Sequence, residues 1–330
     1  MARYLVTGAA GFIASRVVDM LLEGGHSVVG IDNLNDAYDV RMKLWRLNRM
    51  LGRPGFTFMQ LDICDRPGLE QLYSQHPDVA PVFDAVINLA ARAGVRASLS
   101  DPWVYVDTNM VGTLNLLELC RQHGVPKFIL ASTSSLYGNN NPLPFREDAN
   151  TDFALQPYAA SKKGAEAMCY SYHHLYGLDV TVFRYFTVYG PASRPEMVMF
   201  NFTQWICEGR QVHLNGDGEQ QRGFTYLDDI ARGTIAGLKP LGYEIINLGG
   251  HELITINALI HKLEDRLGRK ADIVHHPFHP ADAMANWANV EKARVLLGWE
   301  PQVTLDEGIT RMVDWYLAER SWASQINTII

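Results

Sequence analysis

At 330 residues the chain is longer than one hydrophobic core usually organises, so two units are expected to share it. With 47% hydrophobic residues, 20% charged residues and a formal net charge of −7, it has the composition of a globular enzyme and excludes the basic footprint of a nucleic-acid binder. No apolar run is long enough to span a membrane, and the first residues lack the order of a signal peptide. Cys64, Cys120, Cys169 and Cys207 form no C-x-x-C pair, so reduced thiols in a cytoplasm are expected. His275, His276 and His279 tempt a metal reading, but no other ligand type stands at the right spacing beside them, and no metal is expected.

In chain order, short β-branched runs at 4–6, 27–31, 56–59, 85–88, 128–131 and 180–183 read as strands, and helical patterns at 15–23, 108–123 and 158–175 fall between them. Strands alternating with helices imply an α/β fold, a doubly wound parallel sheet of the Rossmann type. After residue 186 the pattern changes. Gly190-Pro191 breaks the chain, a helix is expected at 200–209, and Asn215-Gly216-Asp217-Gly218 makes a turn. A strand at 244–248 can return to the sheet, and helices follow near 257–267 and 305–320. The reading is a smaller C-terminal lobe interleaved with the first unit: 1–186 plus about 223–250 forms the sheet domain, and about 187–222 plus 251–330 forms the substrate-binding lobe.

The first strand runs into Gly8-Ala9-Ala10-Gly11-Phe12-Ile13-Ala14, which opens a helix. Glycines here allow a tight turn and let backbone N–H groups approach a pyrophosphate. Asp32 follows at the end of the second strand, where its carboxylate can accept from the adenosine ribose hydroxyls and repel a 2′-phosphate. No arginine follows it directly, only Asn33, Leu34 and Asn35, so NAD is favoured over NADP.

Tyr158 and Lys162 stand four apart at the start of a predicted helix, which places phenol and ammonium on one face. The ammonium and the positive nicotinamide are expected to lower the phenol pKa and make Tyr158 a base. Upstream, the strand at 128–131 ends in Ser132-Thr133-Ser134-Ser135, hydroxyls at the edge where open α/β sheets bind ligands.

With these features, three stretches carry a resemblance. They are Asp32-Asn33-Leu34-Asn35-Asp36-Ala37-Tyr38-Asp39-Val40, Ala91-Arg92-Ala93-Gly94-Val95-Arg96, and Phe186-Thr187-Val188-Tyr189-Gly190-Pro191-Ala192-Ser193-Arg194-Pro195-Glu196-Met197. Almost end to end, the chain resembles the extended short-chain dehydrogenase/reductases that modify nucleotide sugars, and among them the UDP-glucuronate 4-epimerases most. The resemblance implies a catalytic triad of Thr133, Tyr158 and Lys162. It implies an NAD site lined by Gly8, Gly11, Phe12, Ile13, Asp32, Asn33, Asn35, Asp62, Ile63, Leu89, Ala90, Asn109 and Tyr185, together with Tyr158 and Lys162. It also implies that Arg222 holds the diphosphate of a UDP-sugar, that Asp282 meets the nucleotide ribose, and that the protein is a homodimer. The chain departs from the family pattern at Arg92, usually glutamine, and at Gly223, usually aspartate. It departs again at Ala281, usually glycine, and at Trp287 and Asn289.

Members that eliminate water or CO₂ carry acids after the residue equivalent to Thr133. Ser134 and Ser135 stand there instead, which argues for C4 epimerisation without further chemistry. A uronate oxidised at C4 is a β-keto acid, and donors on its carboxylate would restrain decarboxylation. Ser134, Ser135, Thr187 and Arg194 are the expected donors, while Arg96 is equally readable as a substrate contact or a surface ion pair. UDP-glucose/UDP-galactose 4-epimerisation stays open as the alternative.

Overall fold

The computed structural model describes residues 1–74, 82–250, 252–278 and 284–328. The chain runs through β1 (Arg3–Thr7), β2 (Ser27–Asp32), β3 (Phe56–Gln60), β4 (Ala85–Asn88), β5 (Lys127–Thr133), β6 (Asp179–Tyr185) and β7 (Thr187–Tyr189). It continues through β8 (Gln211–Asn215), β9 (Gln221–Tyr226), β10 (Tyr243–Leu248), β11 (Leu253–Thr255), β12 (Asp272–His276) and β13 (Ala285–Asn286). Seven of these form one all-parallel sheet in the order β10-β6-β5-β4-β1-β2-β3. The winding direction reverses between β1 and β4, and a crevice for ligands is expected above that point.

Period-two alternation explains why this sheet forms. Leu5, Val29, Val86, Phe128 and Leu130 face one hydrophobic core, and their neighbours Val6, Val28, Ile87 and Ile129 face the other. Both faces are apolar, so both must be covered by helices. Strand β10 comes from beyond the smaller lobe and completes the edge next to β6, as the 244–248 pattern suggested. Strand β9 pairs with β7, β11 and β13 in a second sheet, while the helix Leu227–Ala236 directly after it packs into the larger core. The lobe has its own apolar centre, built around Phe202, Trp205, Leu214, Leu259, Leu263 and Met312. His276 is hydrogen-bonded to His213 across the β8–β12 pair, at 2.8 Å between ring nitrogens.

The expected strands extend by up to two residues at their ends. The first helix starts at Phe12 rather than residue 15. The helix expected over 108–123 begins with a wide five-residue turn, Asp107–Val111, before the regular helix Gly112–His123. The helix Val40–Asn48 has no apolar stripe, because two of its buried residues are the cations Lys43 and Arg46.

The helix Pro157–Tyr176 is anchored to the sheet by a buried ion pair. Glu166 accepts from Arg184 Nε at 3.0 Å and Nη2 at 2.8 Å, a two-pronged contact, and from the Ser132 hydroxyl at 2.5 Å. Arg184 also donates to the Tyr137 hydroxyl at 3.1 Å, which in turn donates to Asn247 of β10 at 2.6 Å. Glu166 and Arg184 are buried, so losing one partner leaves an uncompensated interior charge. Glu166→Gln is expected to lower unfolding free energy by about 3 kcal/mol in urea titrations; an unchanged midpoint would show that the pair does not hold the helix.

Candidate active site

The turn after β1 is built for close approach. Gly8 has φ +68°, and a Cβ there would stand 2.9 Å from the Ala90 backbone; at Gly11 it would meet the Gly8 carbonyl oxygen at 2.7 Å. The helix Phe12–Glu23 starts at Gly11 with no side-chain cap and no acid in its first turn. Its first N–H groups are therefore left for an anion. The Asp32 carboxylate accepts from Ala10 N at 3.2 Å and Leu34 N at 2.8 Å, so it braces the same turn. Asn33 donates to Asp62 at 2.7 Å and accepts from Asn35 Nδ2 at 2.8 Å. Thr7 accepts from Ala90 N at 3.1 Å, which fixes the segment carrying Leu89 and Ala90 beside Gly8. Buried Ile63 packs in the core on the β2 side of the sheet. These features fit a dinucleotide: a glycine cradle, open helix N–H groups and a carboxylate at the ribose end.

Sequence reasoning missed two cations at that end. Lys43 Nζ is 3.7 Å from Asp32 Oδ1 and donates to Asn35 at 3.0 Å. Arg92 Nη1 reaches Asn35 at 3.5 Å. Both come from elements distant from Asp32 in the chain, so its immediate neighbours could not reveal them.

Asn109 lies within the wide turn, its amide clamped to the Arg92 backbone in both directions at 3.0 Å and donating to Ser161 at 2.9 Å. An irregular turn of this kind is a frequent mark of a functional site. Here it ties the loop after β4 to the helix of Tyr158. Tyr185, opposite Thr133 in the β5–β6 register, shares a hydrogen bond with Thr234 at 2.8 Å.

Thr133 ends β5, where its side chain acts on the Tyr158 phenol. Its hydroxyl also donates to Ser135 Oγ at 3.1 Å and accepts from Ser135 N at 3.1 Å, the local turn bonding that serine and threonine favour. Ser134 accepts from Asn286 of the lobe strand β13 at 3.2 Å. Lys162 is buried, and its ammonium donates to the Ala131 carbonyl at 3.0 Å. Burial pulls its pKa down to about 8, against the pull of Cys169 and Glu166.

Burial raises the Tyr158 pKa, opposed by the Thr133 hydrogen bond and the Arg194 charge. The Lys162 ammonium is turned to the Ala131 carbonyl, while Thr133 and Arg194 are the groups that act on the phenol against burial. Arg194 acts in turn on the phenols of Tyr158, Tyr38 and Tyr105, and it pairs with Glu196 at 3.2 Å. Tyr105 packs its ring edge-on to Tyr158, with centroids 6.1 Å apart.

Thr187 begins β7 and is partly exposed. Arg222 lies in β9 between β11 and β13, in register with Asn286, and donates to its neighbour's carbonyl at 2.8 Å. Arg96 crosses from the loop after β4 to the lobe: with the Asn215 amide turned so that its oxygen accepts, it donates at 2.8 and 3.3 Å. Asp282 lies outside the described residues.

A family model described as GDP-mannose 4,6 dehydratase matches residues 5–312. The chain belongs to this family, within the extended short-chain dehydrogenase/reductases. It is 56% identical over 316 residues to a UDP-glucuronate 4-epimerase of Thermodesulfobacterium geofontis, covering 96% of each chain. Its structure is similar to the UDP-glucuronic acid 4-epimerase of Bacillus cereus solved with UDP-glucuronic acid and NAD. The TM-score is 0.89 at 35% identity, over 96% of this chain and 99% of that one. It is also similar to the UDP-glucose 4-epimerase of Thermotoga maritima solved with UDP-glucose, with TM-score 0.87 at 33% identity, over 96% and 99%. Unlike the acid-bearing dehydratases and decarboxylases of the wider group, this family member carries Ser134 and Ser135 after Thr133.

The raised phenol pKa has a spectroscopic consequence. In cofactor-free protein, phenolate absorbance near the neutral range is expected to be the same for wild type and Tyr158→Phe. With NAD bound, the added positive charge should produce an extra ionisation in wild type below the ordinary tyrosine range. An identical titration of both proteins when loaded would remove Tyr158 from contact with the cofactor.

Proposed function

We propose that the protein is an NAD-dependent UDP-glucuronate 4-epimerase that interconverts UDP-glucuronate and UDP-galacturonate through a transient 4-keto sugar. The observation that carries this reading is the convergence at the end of β5 of the Tyr158 phenol with the hydroxyls of Thr133, Ser134 and Ser135, with the Arg194 cation acting on the phenol. The 56% identity to a UDP-glucuronate 4-epimerase supports the same substrate.

Bound NAD supplies a reversible hydride acceptor. Gly8, Gly11, Phe12, Ile13 and Asp32 would hold its adenosine and pyrophosphate, with Asn33, Asn35, Asp62, Ile63, Leu89, Ala90, Asn109 and Tyr185 around them. Lys162 would hold its ribose. Tyr158 takes the proton from the sugar 4-hydroxyl while Thr133 holds the same oxygen. The C4 hydride would pass to the cofactor in the same step; the ketone would then turn about its diphosphate, which Arg222 would retain, and C4 would take the hydride back on its other face as Tyr158 returns the proton to O4. The nucleotide ribose is assigned to Asp282.

The 4-ketone of a uronate is a β-keto acid and loses CO₂ when its carboxylate swings free. Ser134, Ser135, Thr187 and Arg194 are the donors that restrain it. Arg96 is assigned to the mouth of the cleft, where its contact with Asn215 spans both sides.

The helical stretch 103–123 and the helix Pro157–Tyr176, which pack together, expose Trp103, Val111, Leu114, Tyr170, Leu175 and Tyr176, and these apolar side chains support a homodimer. Four cysteines without disulfides support a reducing compartment such as the cytoplasm. Among the described residues no helix is long and apolar enough to cross a membrane.

Purified protein given UDP-glucuronate is expected to show the anomeric NMR signal of UDP-galacturonate, with no accumulation of absorbance at 340 nm. Tyr158→Phe should lower turnover by about 10³-fold. Turnover confined to UDP-glucose would replace the uronate reading with the neutral-sugar one, and near-normal activity of Tyr158→Phe would discard the mechanism. In light scattering, twice the chain mass is expected.

A further inference from the structure

Arg46 is a buried cation whose hydrogen bonds go to neutral oxygens. Its side chain is 3% exposed. It donates from Nε at 3.0 Å and Nη2 at 2.7 Å to the single carbonyl oxygen of Ala192. From Nη1 it donates to the Ala10 carbonyl at 3.1 Å and to the Tyr38 hydroxyl at 2.8 Å. Its guanidinium lies 5.9 Å from the Phe12 ring centre and 5.5 Å from that of Tyr38. Burying a guanidinium without a carboxylate is costly, and planar, forked donors are the feature a lysine cannot reproduce.

The three segments it joins have different tasks. Ala10 belongs to the glycine turn after β1, and its N–H is already fixed by Asp32. Tyr38 belongs to the stretch between β2 and the helix of Arg46 itself. Ala192 is two residues before Arg194 and has φ +54°, a left-handed conformation that is unfavourable for an alanine and persists only when the surroundings hold it. The doubled hydrogen bond on its carbonyl is such a hold. The backbone of Ala10 is thus held at its N–H by a carboxylate and at its carbonyl by a guanidinium, and the same guanidinium fixes the bend two residues before Arg194.

We infer that Arg46 is a positioning residue: it couples the seating of the dinucleotide turn to the orientation of Arg194, and so sets the grip on the sugar carboxylate. The inference rests on the uronate reading above. Arg46 does not touch the reacting atoms, and its effect passes through Ala192 and Arg194.

The test compares NAD-saturated wild type, R46K, Tyr38→Phe, R194K and R46K/R194K. Dissociation constants for UDP-glucuronate and for UDP are measured by calorimetry, with KM and kcat alongside. R46K is expected to weaken UDP-glucuronate about tenfold and raise its KM by a similar factor, with UDP affinity unchanged within about twofold. The loss should vanish in the R194K background, because the path through Arg194 is already broken. Tyr38→Phe keeps the ring and removes one acceptor; it should show the same pattern at about threefold, and it carries the test if R46K does not fold. Equal weakening of UDP and UDP-glucuronate, or effects of R46K and R194K that add, would overturn the inference alone. A wild type that neither epimerises UDP-glucuronate nor binds it more tightly than UDP would remove the proposed function, and this inference with it.

Discussion

The geometry of the reacting corner depends on one buried ion pair. Glu166 and Arg184 join the helix of Tyr158 and Lys162 to β6, and through Ser132, Tyr137 and Asn247 to β5 and β10. Tyr158, Lys162 and Glu166 follow one another at four-residue spacing, so fixing the third fixes the rotation of the helix for the other two. An apolar contact would allow the helix to roll or slide. A two-pronged carboxylate–guanidinium contact tolerates neither, because its strength depends on both distances together. Isolated, such a pair is weak evidence for stability. Here its value is orientation: the phenol is delivered to Thr133 at the strand end and the ammonium to the Ala131 carbonyl.

Around that corner opposing influences act on the phenol of Tyr158. Burial opposes ionisation of Tyr158, while a hydroxyl and a cation favour it. A phenol poised in this way responds to one more positive charge at its face, which is what a nicotinamide ring brings. The Thr133 hydroxyl bonds to Ser135, and Ser134 between them accepts from Asn286 of β13, so the second sheet contacts the hydroxyl run directly.

Most of the architecture was legible in the sequence because it follows from burial. The strands are apolar on both faces and the glycine turn needs its conformation, and both facts are written in local residue types. The placement of Tyr158, Lys162 and the hydroxyl run was legible for the same reason, since they are short-range patterns on predicted elements. What was not legible depends on polar residues used as interior parts. The helix Val40–Asn48 buries Lys43 and Arg46, so its pattern reads as solvent-facing. Lys43 and Arg92 meet Asn35 from separate elements, and no local window around Asp32 contains both. The direction of the Lys162 ammonium was likewise invisible, because four-residue spacing specifies a face and not the acceptor that the side chain finds on it.

The order of strands in the large sheet also carries a consequence for how the molecule is made. Strand β10 lies at the edge beside β6, yet it is the last of the seven to be synthesised, after the whole of β7, β8 and β9. Asn247 within it receives the Tyr137 hydroxyl and donates to Phe145, so the wall behind Thr133 is incomplete until that strand arrives. During translation the nascent first unit therefore leaves the ribosome with one open sheet edge along β6, exposed for the time that the intervening segment takes to emerge. Sheet edges in that condition are templates for unwanted pairing. For this polypeptide, the vulnerable interval is set by the length of lobe inserted before β10 and not by the finished protein's stability.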